Sequence, residues 1–383
     1  MSGTAFRAWF GNAEASADDL ARIEEIEVTQ EIDKFWEARV RTSICLDAQG
    51  RWQHGPDAVA KAPFTRMRVE IDPGNGSFVP LIDGPISNFE SRLDSQPGRS
   101  SATFVVRDDS VFLDRDEDTE VFRDLKHSEI AEQVMRRIEQ IAETRVDPPT
   151  TATYPAVTRR GTLLMLLVRL ARANARRVYV LPGATPGKSI GCFLPDPEQP
   201  DAALPPLRLI GDDRNLGDAT ITEDSEAPER SRGSVLRLAD GSLASFEANA
   251  ADLRIDGDRP AVPAEQTAKR LLAPADALAD ELTEAATARA RESAYTYRLS
   301  ANVIPGCFGA VLTPGVKVRV ECGSTPYSGN YLITKVVHRI TPSLYSQSFE
   351  AKSDGSTEVA AAPVAEAPGG GLSVSFSASG GAF

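Results

Sequence analysis

Cysteine and histidine are scarce in this sequence, and no apolar run is long. Four cysteines (Cys45, Cys192, Cys307 and Cys322) are spread over 383 residues with no C-x-x-C pair, which excludes a disulfide-stapled secreted fold and suits reduced thiols in a cytoplasmic product. Three histidines, His54, His127 and His338, have no partner at ligand spacing, so no metal centre is expected. The most apolar run, residues 163–168, is closed by Arg160 and Arg169. A membrane span needs roughly 20 apolar residues, so this run predicts a buried helix and no membrane anchor. The first twelve residues set Arg7 among scattered apolar side chains and lack the hydrophobic core of a signal peptide. Positive charge is also in deficit: 42 basic residues face 55 acidic ones, for a net charge of -13. That balance repels phosphate backbones and disfavours a nucleic-acid-coating role.

What is present is ordinary globular composition, 41% hydrophobic and 25% charged, with 26 prolines and 28 glycines that punctuate short apolar runs. This predicts two or three mainly β domains. Residues 20–43 carry Ile23, Ile26, Val28, Phe35, Ala38 and Val40 among charges, and residues 64–72 alternate with Met67, Val69 and Ile71 on one side. Alternation at period two is the mark of half-buried strands. Residues 81–89 and 101–108 continue it across a turn-rich segment at 94–98.

The pattern changes after Asp124. Ser128 is placed to cap a helix in which Ile130, Val134, Ile138 and Ile141 recur at spacings of three and four, and Asp147-Pro-Pro breaks it. Thr162 caps a second helix with a core stripe of Leu163, Leu166, Leu167, Leu170 and Ala171, and residues 177–181 read as a strand leaving it. Strands return from Leu207, interrupted by an acidic, solvated stretch at 223–229. Residues 264–295 are helix-forming in composition, with Pro274 starting a helix. The expected organisation is a first β-barrel unit at 20–122 and an α/β insert at 123–197. A second β-barrel unit follows at 198–355, with strands that can be shared with the first, and then an Ala/Pro/Gly/Ser-rich tail at 356–383.

A faint internal duplication carries most information. Met67-x-Val69-x-Ile71-Asp72-x-Gly74 finds a partner in Val316-x-Val318-x-Val320-Glu321-x-Gly323. Each runs on to a second glycine, Gly84 or Gly329, and then to Phe104 or Phe349, twenty residues further in both cases. Alternation and turn glycines are common to all hairpins, whereas agreement in order and spacing points to two similar β units. Val69, Ile71, Gly84, Phe104, Val318, Val320, Gly329, Tyr331 and Phe349 are the residues expected to build them.

Three stretches then resemble the hub family of contractile tails: the acidic turn from Val105 through Asp114, Arg115 and Asp116 to Ile130, the leucine-rich helix and strand from Thr162 to Leu181, and the C-terminal hairpin. In that hairpin Leu312-Thr-Pro-Gly315 leads into residues 327–341, Tyr-Ser-Gly-Asn-Tyr-Leu-Ile-Thr-Lys-Val-Val-His-Arg-Ile-Thr. The family includes phage late-control D proteins and the hub half of type VI secretion spikes. The resemblance implies two tube-like β-barrels per chain in a homotrimer. Six barrels can then meet a sixfold inner tube on one side and a threefold spike on the other, among other baseplate components. It also implies assembly in the cytoplasm and service in a virion tail or injection particle. No spike domain follows Gly355, so the spike is expected to be a separate protein.

The chemistry expected elsewhere is not encoded. Gly183-Ala-Thr-Pro-Gly187-Lys188-Ser189 imitates a phosphate loop but has three residues between its glycines, where four are needed, and no helix after it. Asp114-x-Asp116-x-Asp118 imitates a calcium loop but has Thr119 and Leu125 at the positions of the required Gly and Glu. No G-x-S-x-G elbow occurs and no carboxylate pair stands out. Trp9, Trp36 and Trp52 suit packing better than a sugar site. The reading is a structural hub without cofactor, metal or specific nucleic acid. Its rivals are a tail-associated cell-wall hydrolase and a tandem β-sandwich binding module. In the tail, Leu372, Val374 and Phe376 alternate with serine, an expectation of strand addition to a neighbouring subunit or the spike.

Overall fold

A computed structural model describes residues 5–11, 13–45, 47, 49–51, 64–96, 98–236, 241–253, 256, 259–260, 264–272 and 279–356. The tail segment 372–378, Trp52, His54 and Pro274 lie outside the described residues. A first unit is built from β1 (Ala5–Phe10), β2 (Ile23–Glu31), β3 (Glu37–Ser43), β4 (Arg66–Asp72), β5 (Val79–Arg92) and β6 (Ser101–Arg107). The insert contributes α1 (His127–Met135), β7 (Ile141–Arg145), α2 (Leu163–Ala173), β8 (Arg176–Pro182) and β9 (Ser189–Pro195). A second unit begins with β10 (Leu207–Arg208) and β11 (Leu216–Glu223). It is interrupted by a small lobe of β12 (Glu229–Leu236), β13 (Leu243–Asn249), β14 (Ala268–Leu271) and α3 (Ala279–Ala294). It resumes with β15 (Tyr297–Val303), β16 (Lys317–Glu321), β17 (Gly329–Thr341) and β18 (Leu344–Ser353).

The protein is mainly β, as its alternation predicts. Thirteen strands form one sheet whose path runs β11-β15-β18-β17-β2-β3-β6-β5-β4-β1 and then Ala13–Glu14, with β16 beside β17 and β10 beside β16. This path does not close on itself, so the ladders of the described residues form no complete barrel. The two units meet where the outer half of β17 pairs antiparallel with β2, from Lys335 opposite Glu31 to Ile340 opposite Ile26. Residues 81–86 of β5 are buried on both faces. Their second cover is the insert, whose Tyr179 and Cys192 belong to the core of the first unit.

The two units share one strand order. In the first it is β2-β3-β6-β5-β4, in the second β11-β15-β18-β17-β16. They also share two β-bulges, each of which inserts a residue and shifts the inward face. One lies between Ile23 and Glu25 on β2 and between Leu216 and Asp218 on β11. It explains why the buried residues of β2 run Ile23, Ile26, Val28 and break strict alternation. The other lies between Ile86 and Asn88 on β5 and between Ile333 and Lys335 on β17. Counting through the ladders from one bulge to the other returns a consistent correspondence in which Phe104 matches Phe349: Val40 pairs Phe104, and Ala301 pairs Phe349.

The same count corrects the glycine alignment. Gly84 pairs with Met67 and Gly329 with Val320, and Gly84 corresponds in register to Tyr331, two residues from Gly329. A shift of two leaves every side chain on its original face, so alternation in the sequence cannot reveal it. Three local expectations also change. Ser128 does not cap α1, which begins after Lys126; its hydroxyl and amide engage Thr150. Helix α1 ends at Met135, leaving Ile138 in a turn and Ile141 at the start of a strand. The strand Asp118–Phe122, in a stretch read as part of an acidic turn and helix, pairs with Val157–Gly161. Thr162 caps α2 as expected, accepting a bond from Met165 N. No helix among the described residues is long and apolar enough to cross a membrane.

Gly84 has its own physical reason. A Cβ there would lie 1.8 Å from the carbonyl oxygen of Arg107, where β5 passes the end of β6. Because the clash is with backbone, Gly84→Ala should lower unfolding stability by about 3 kcal/mol or more. Gly309→Ala, at a site with nothing within 4 Å, should change it by less than about 0.5 kcal/mol. Urea unfolding of both variants is the measurement; equal midpoints would contradict the close approach.

Candidate assembly interface

The nine residues singled out from the sequence are all buried, but they do not converge on one pocket. Val69, Ile71 and Phe104 enter the core of the first unit, beside Trp36 and Val40. Val318, Val320, Tyr331 and Phe349 enter the core of the second, beside Leu299 and Ile333. Phe104 is packed between Phe10 and Phe89, with ring centroids 6.0 and 5.2 Å away. These are packing positions, and the one side-chain hydroxyl among them, on Tyr331, donates to the carbonyl of Tyr327 at 2.9 Å.

The polar residues of interest sit instead at the joints between parts. At the β17–β2 joint His338 is fully buried, with Nδ1 2.9 Å from the Tyr345 hydroxyl and Nε2 3.2 Å from Gln30 Oε1. Gln30 Nε2 in turn donates to Leu81 O at 2.8 Å. Burial pushes the His338 pKa down to about 3, so the ring is neutral. On the exposed face of the same joint, Arg339 reaches Glu25 at 3.0 Å and Glu27 at 2.5 Å.

A first ionic clamp fastens the insert to the first unit. Arg66 bonds Asp109 and Asp83, and Arg68 bonds Asp83 and the carbonyl of Gly183. Asp83 also accepts the amide of Gly187 at 2.8 Å, and Asp109 accepts the hydroxyl of Ser189. Burial alone would lower the Arg66 pKa, but the two carboxylates hold it above its ordinary value. The phosphate-loop look-alike is therefore a turn whose Gly187 N–H is already used by a carboxylate, and Ser189 continues into β9 rather than a helix.

A second clamp joins the insert, the lobe helix and the second unit. Arg177 forms a two-pronged pair with Asp196 at 2.9 and 3.0 Å and also binds Glu292 on α3. Lys352 on β18 bonds Glu292 at 2.6 Å, and the Tyr295 hydroxyl donates to Asp196 at 2.9 Å. Burial opposes ionisation of Asp196, yet Arg177 holds its pKa below the usual range. Sequence reasoning missed both clamps, since their members lie 15 to 115 residues apart and no local spacing joins them.

The other look-alikes resolve as structure. Asp114 accepts the Thr162 hydroxyl at 2.7 Å, and Asp118 starts a strand. His127 stacks on Tyr154 with centroids 3.8 Å apart. Trp36 is buried in the first core, with its amide donating to Asp108. Among the described residues no group of three His, Cys, Asp or Glu side chains is placed to hold a metal ion. Four cysteines are free thiols, Cys45 and Cys307 exposed and Cys192 and Cys322 buried.

This doubled sheet with an α/β insert is the fold of phage tail proteins, as the resemblance implied. No family model matches the chain, and no curated protein matches its sequence. Among solved structures it is similar to the 43 kDa tail protein of prophage MuSo2 from Shewanella oneidensis, at 13% identity and a TM-score of 0.64 over 91% of this chain and 98% of that one. It is similar to the tail protein from Neisseria meningitidis MC58, at 12% identity and 0.61 over 92% and 97%. A third is the E. coli c3393 protein, at 12% identity and 0.51 over 86% and 73%. That protein is a component of the type VI secretion system with structural similarity to the T4 tail proteins gp27 and gp5.

The joint histidine generates a signed pH dependence. Its folded pKa lies below the ordinary value of about 6.5, so the unfolded chain takes up the proton first. Stability is then lost as pH falls from about 6.5 toward 3, by about 1.4 kcal/mol per pH unit within that window. Asp108, which burial pushes up to about 7, works in the opposite sense between about pH 4 and 7. The informative quantity is therefore the difference between wild type and His338→Gln. That difference should narrow as pH falls, and a gap unchanged from pH 7 to 4 in equilibrium unfolding would rule out a neutral buried His338.

Proposed function

We propose that this chain is the structural hub of a contractile phage tail or contractile injection system. Three copies form the adaptor between a sixfold inner tube and a threefold spike. The single observation that carries this reading is the doubled unit, with the same strand order and both bulges repeated inside one chain. Three chains then present six nearly alike units, which lets a threefold body face a sixfold partner. The likeness to solved tail proteins supports it, as do the two separate cores into which Val69, Ile71 and Phe104 on one side and Val318, Val320, Tyr331 and Phe349 on the other are packed.

In this role each unit is a tube-like β-barrel completed in the assembly, and Val69, Ile71, Gly84, Phe104, Val318, Val320, Gly329, Tyr331 and Phe349 set its curvature and core. The work is mechanical: positioning the tube, holding the spike and framing a channel. The protein assembles in the cytoplasm and then serves within a virion tail or injection particle, among other baseplate components. Native mass measurement should give three chains, and electron micrographs should show a ring of six lobes around a hole. A protein that stays monomeric at high concentration, or one that clears a peptidoglycan suspension, would overturn the reading.

A further inference from the structure

Helix α2 turns one stripe, Leu163, Leu166, Leu167, Leu170 and Ala171, into the core of the insert, and its other side borders an open groove of about 430 Å³. Leu164, Met165 and Val168 line the middle of the groove, Arg169 and Arg172 line it toward the helix C-terminus, and Asp114 lines its start. We infer that this groove docks an amphipathic helix of a separate protein, antiparallel to α2, with an acidic first turn followed by apolar residues at spacings of three and four. The inference goes beyond the hub reading and holds for any number of copies.

Shape favours a helix as the occupant. Side chains four apart on a helix form ridges, and the ridge of a second helix packs into the groove between them. Leu164, Val168 and Arg172 make one such ridge, and Met165 and Arg169 make the next. Met165 is 58% exposed, and Leu164 and Val168 are half-buried. Gly161 leaves room beside Met165, since a Cβ there would lie 3.2 Å from the Met165 Sδ. A flexible thioether on an open face repacks around whatever side chains meet it. A water takes about 30 Å³ of liquid, so the groove holds roughly a dozen, and apolar side chains that displace them gain the hydrophobic term.

Charge selects the chemistry of that helix and its direction. Residues 123–197 hold twelve basic and seven acidic side chains, in a chain whose net charge is -13, so the insert is the part of the molecule that attracts acids. Arg169 donates to the Thr158 carbonyl at 2.6 Å. Partial burial lowers its pKa, and no carboxylate offsets the shift. Arg172 is exposed in the last turn of α2. Two cations therefore mark the C-terminal end of the groove and one carboxylate, Asp114, its start. A helix laid antiparallel brings its own N-terminus to the arginines. Carboxylates in its first turn then meet those cations while they occupy the end of their helix where the dipole favours negative charge. The same face of a second copy fits less well, because it offers the two arginines only Asp114, which already accepts the Thr162 hydroxyl.

The test uses the full chain and a labelled helical peptide about five turns long, with glutamates in its first turn, leucines at spacings of three and four, and lysines in its last turn. A second peptide has those charges exchanged end for end. Fluorescence anisotropy should show the first peptide bound and the exchanged one roughly fivefold weaker. Met165→Glu should weaken the first peptide by roughly tenfold or more, whereas Met165→Leu, which keeps the apolar contact, should bind as the unaltered chain does. Arg172→Glu should erase the difference between the peptides. A difference that persists in Arg172→Glu, or equal affinity for both peptides in the unaltered chain, would overturn the antiparallel, acid-first reading. Failure of both peptides to bind at millimolar concentration, or binding indifferent to Met165→Glu, would overturn the groove as their site. Self-association of the chain abolished by Met165→Glu would give the groove to a second copy. Adsorption to vesicles of phosphatidylcholine and phosphatidylglycerol abolished by the same change would give it to a membrane. Either result would overturn the separate helix. The count of chains in the assembly is read independently of all these outcomes, so the hub reading stands or falls apart from them.

Discussion

The constraint on which the rest depends is that a β-strand edge must give its N–H and C=O groups a partner or leave them to water. Each unit of this chain carries two such edges, and one pair is satisfied internally where β17 lies on β2. That ladder makes a single sheet of two units. It also buries a polar network, His338 with Gln30 and Tyr345, where an apolar joint would have tolerated slippage. A buried, neutral imidazole with a partner at each nitrogen fits one register only, because a slip of two residues, which keeps every side chain on its face, would still carry the ring away from Gln30.

The insert and the lobe are fixed to this sheet by charge as well as by apolar contact. Asp109 is fully buried and Asp83 and Arg68 nearly so, which is tolerable because each carboxylate and guanidinium meets several partners. Such pairs add little net stability compared with packed apolar groups, but losing one partner strands the others and is costly. The arrangement therefore favours one orientation of the insert on the first unit. The Arg177, Asp196 and Glu292 cluster does the same for α3 and the second unit.

Much of the fold was legible in the sequence because most of its strands are amphipathic. Met67, Val69 and Ile71 alternate in the sequence and are all buried, and the leucine stripe of α2 faces its core with Thr162 as its cap. The duplication was visible in Phe104 and Phe349, which the ladders bring to corresponding places. Its glycines misled by two residues, an error that period two cannot expose. The helix of the lobe falls within the stretch 264–295 read as helix-forming, but the lobe at 229–294 went unseen as a separate body because its core is small, Phe246, Leu282 and Ala286, and its strands read as more of the same unit. The ionic clamps were illegible in principle: a buried arginine and a solvated one look alike until the fold brings the acid to it.

The two units differ most plainly in what connects their first two strands. In the first unit five residues, 32–36, lead from β2 to β3; in the second the chain between β11 and β15 carries the whole lobe and its helix. A polypeptide that holds both copies of a repeat can elaborate one and leave the other plain, a freedom denied to a protein with one repeat per chain, where any change appears at every position. In a ring of six such units the lobes would stand on alternate members only, so the rim would carry threefold landmarks while the underlying strands keep a near-sixfold course. A partner touching the strands and a partner touching the lobes would then meet different symmetries on the same body.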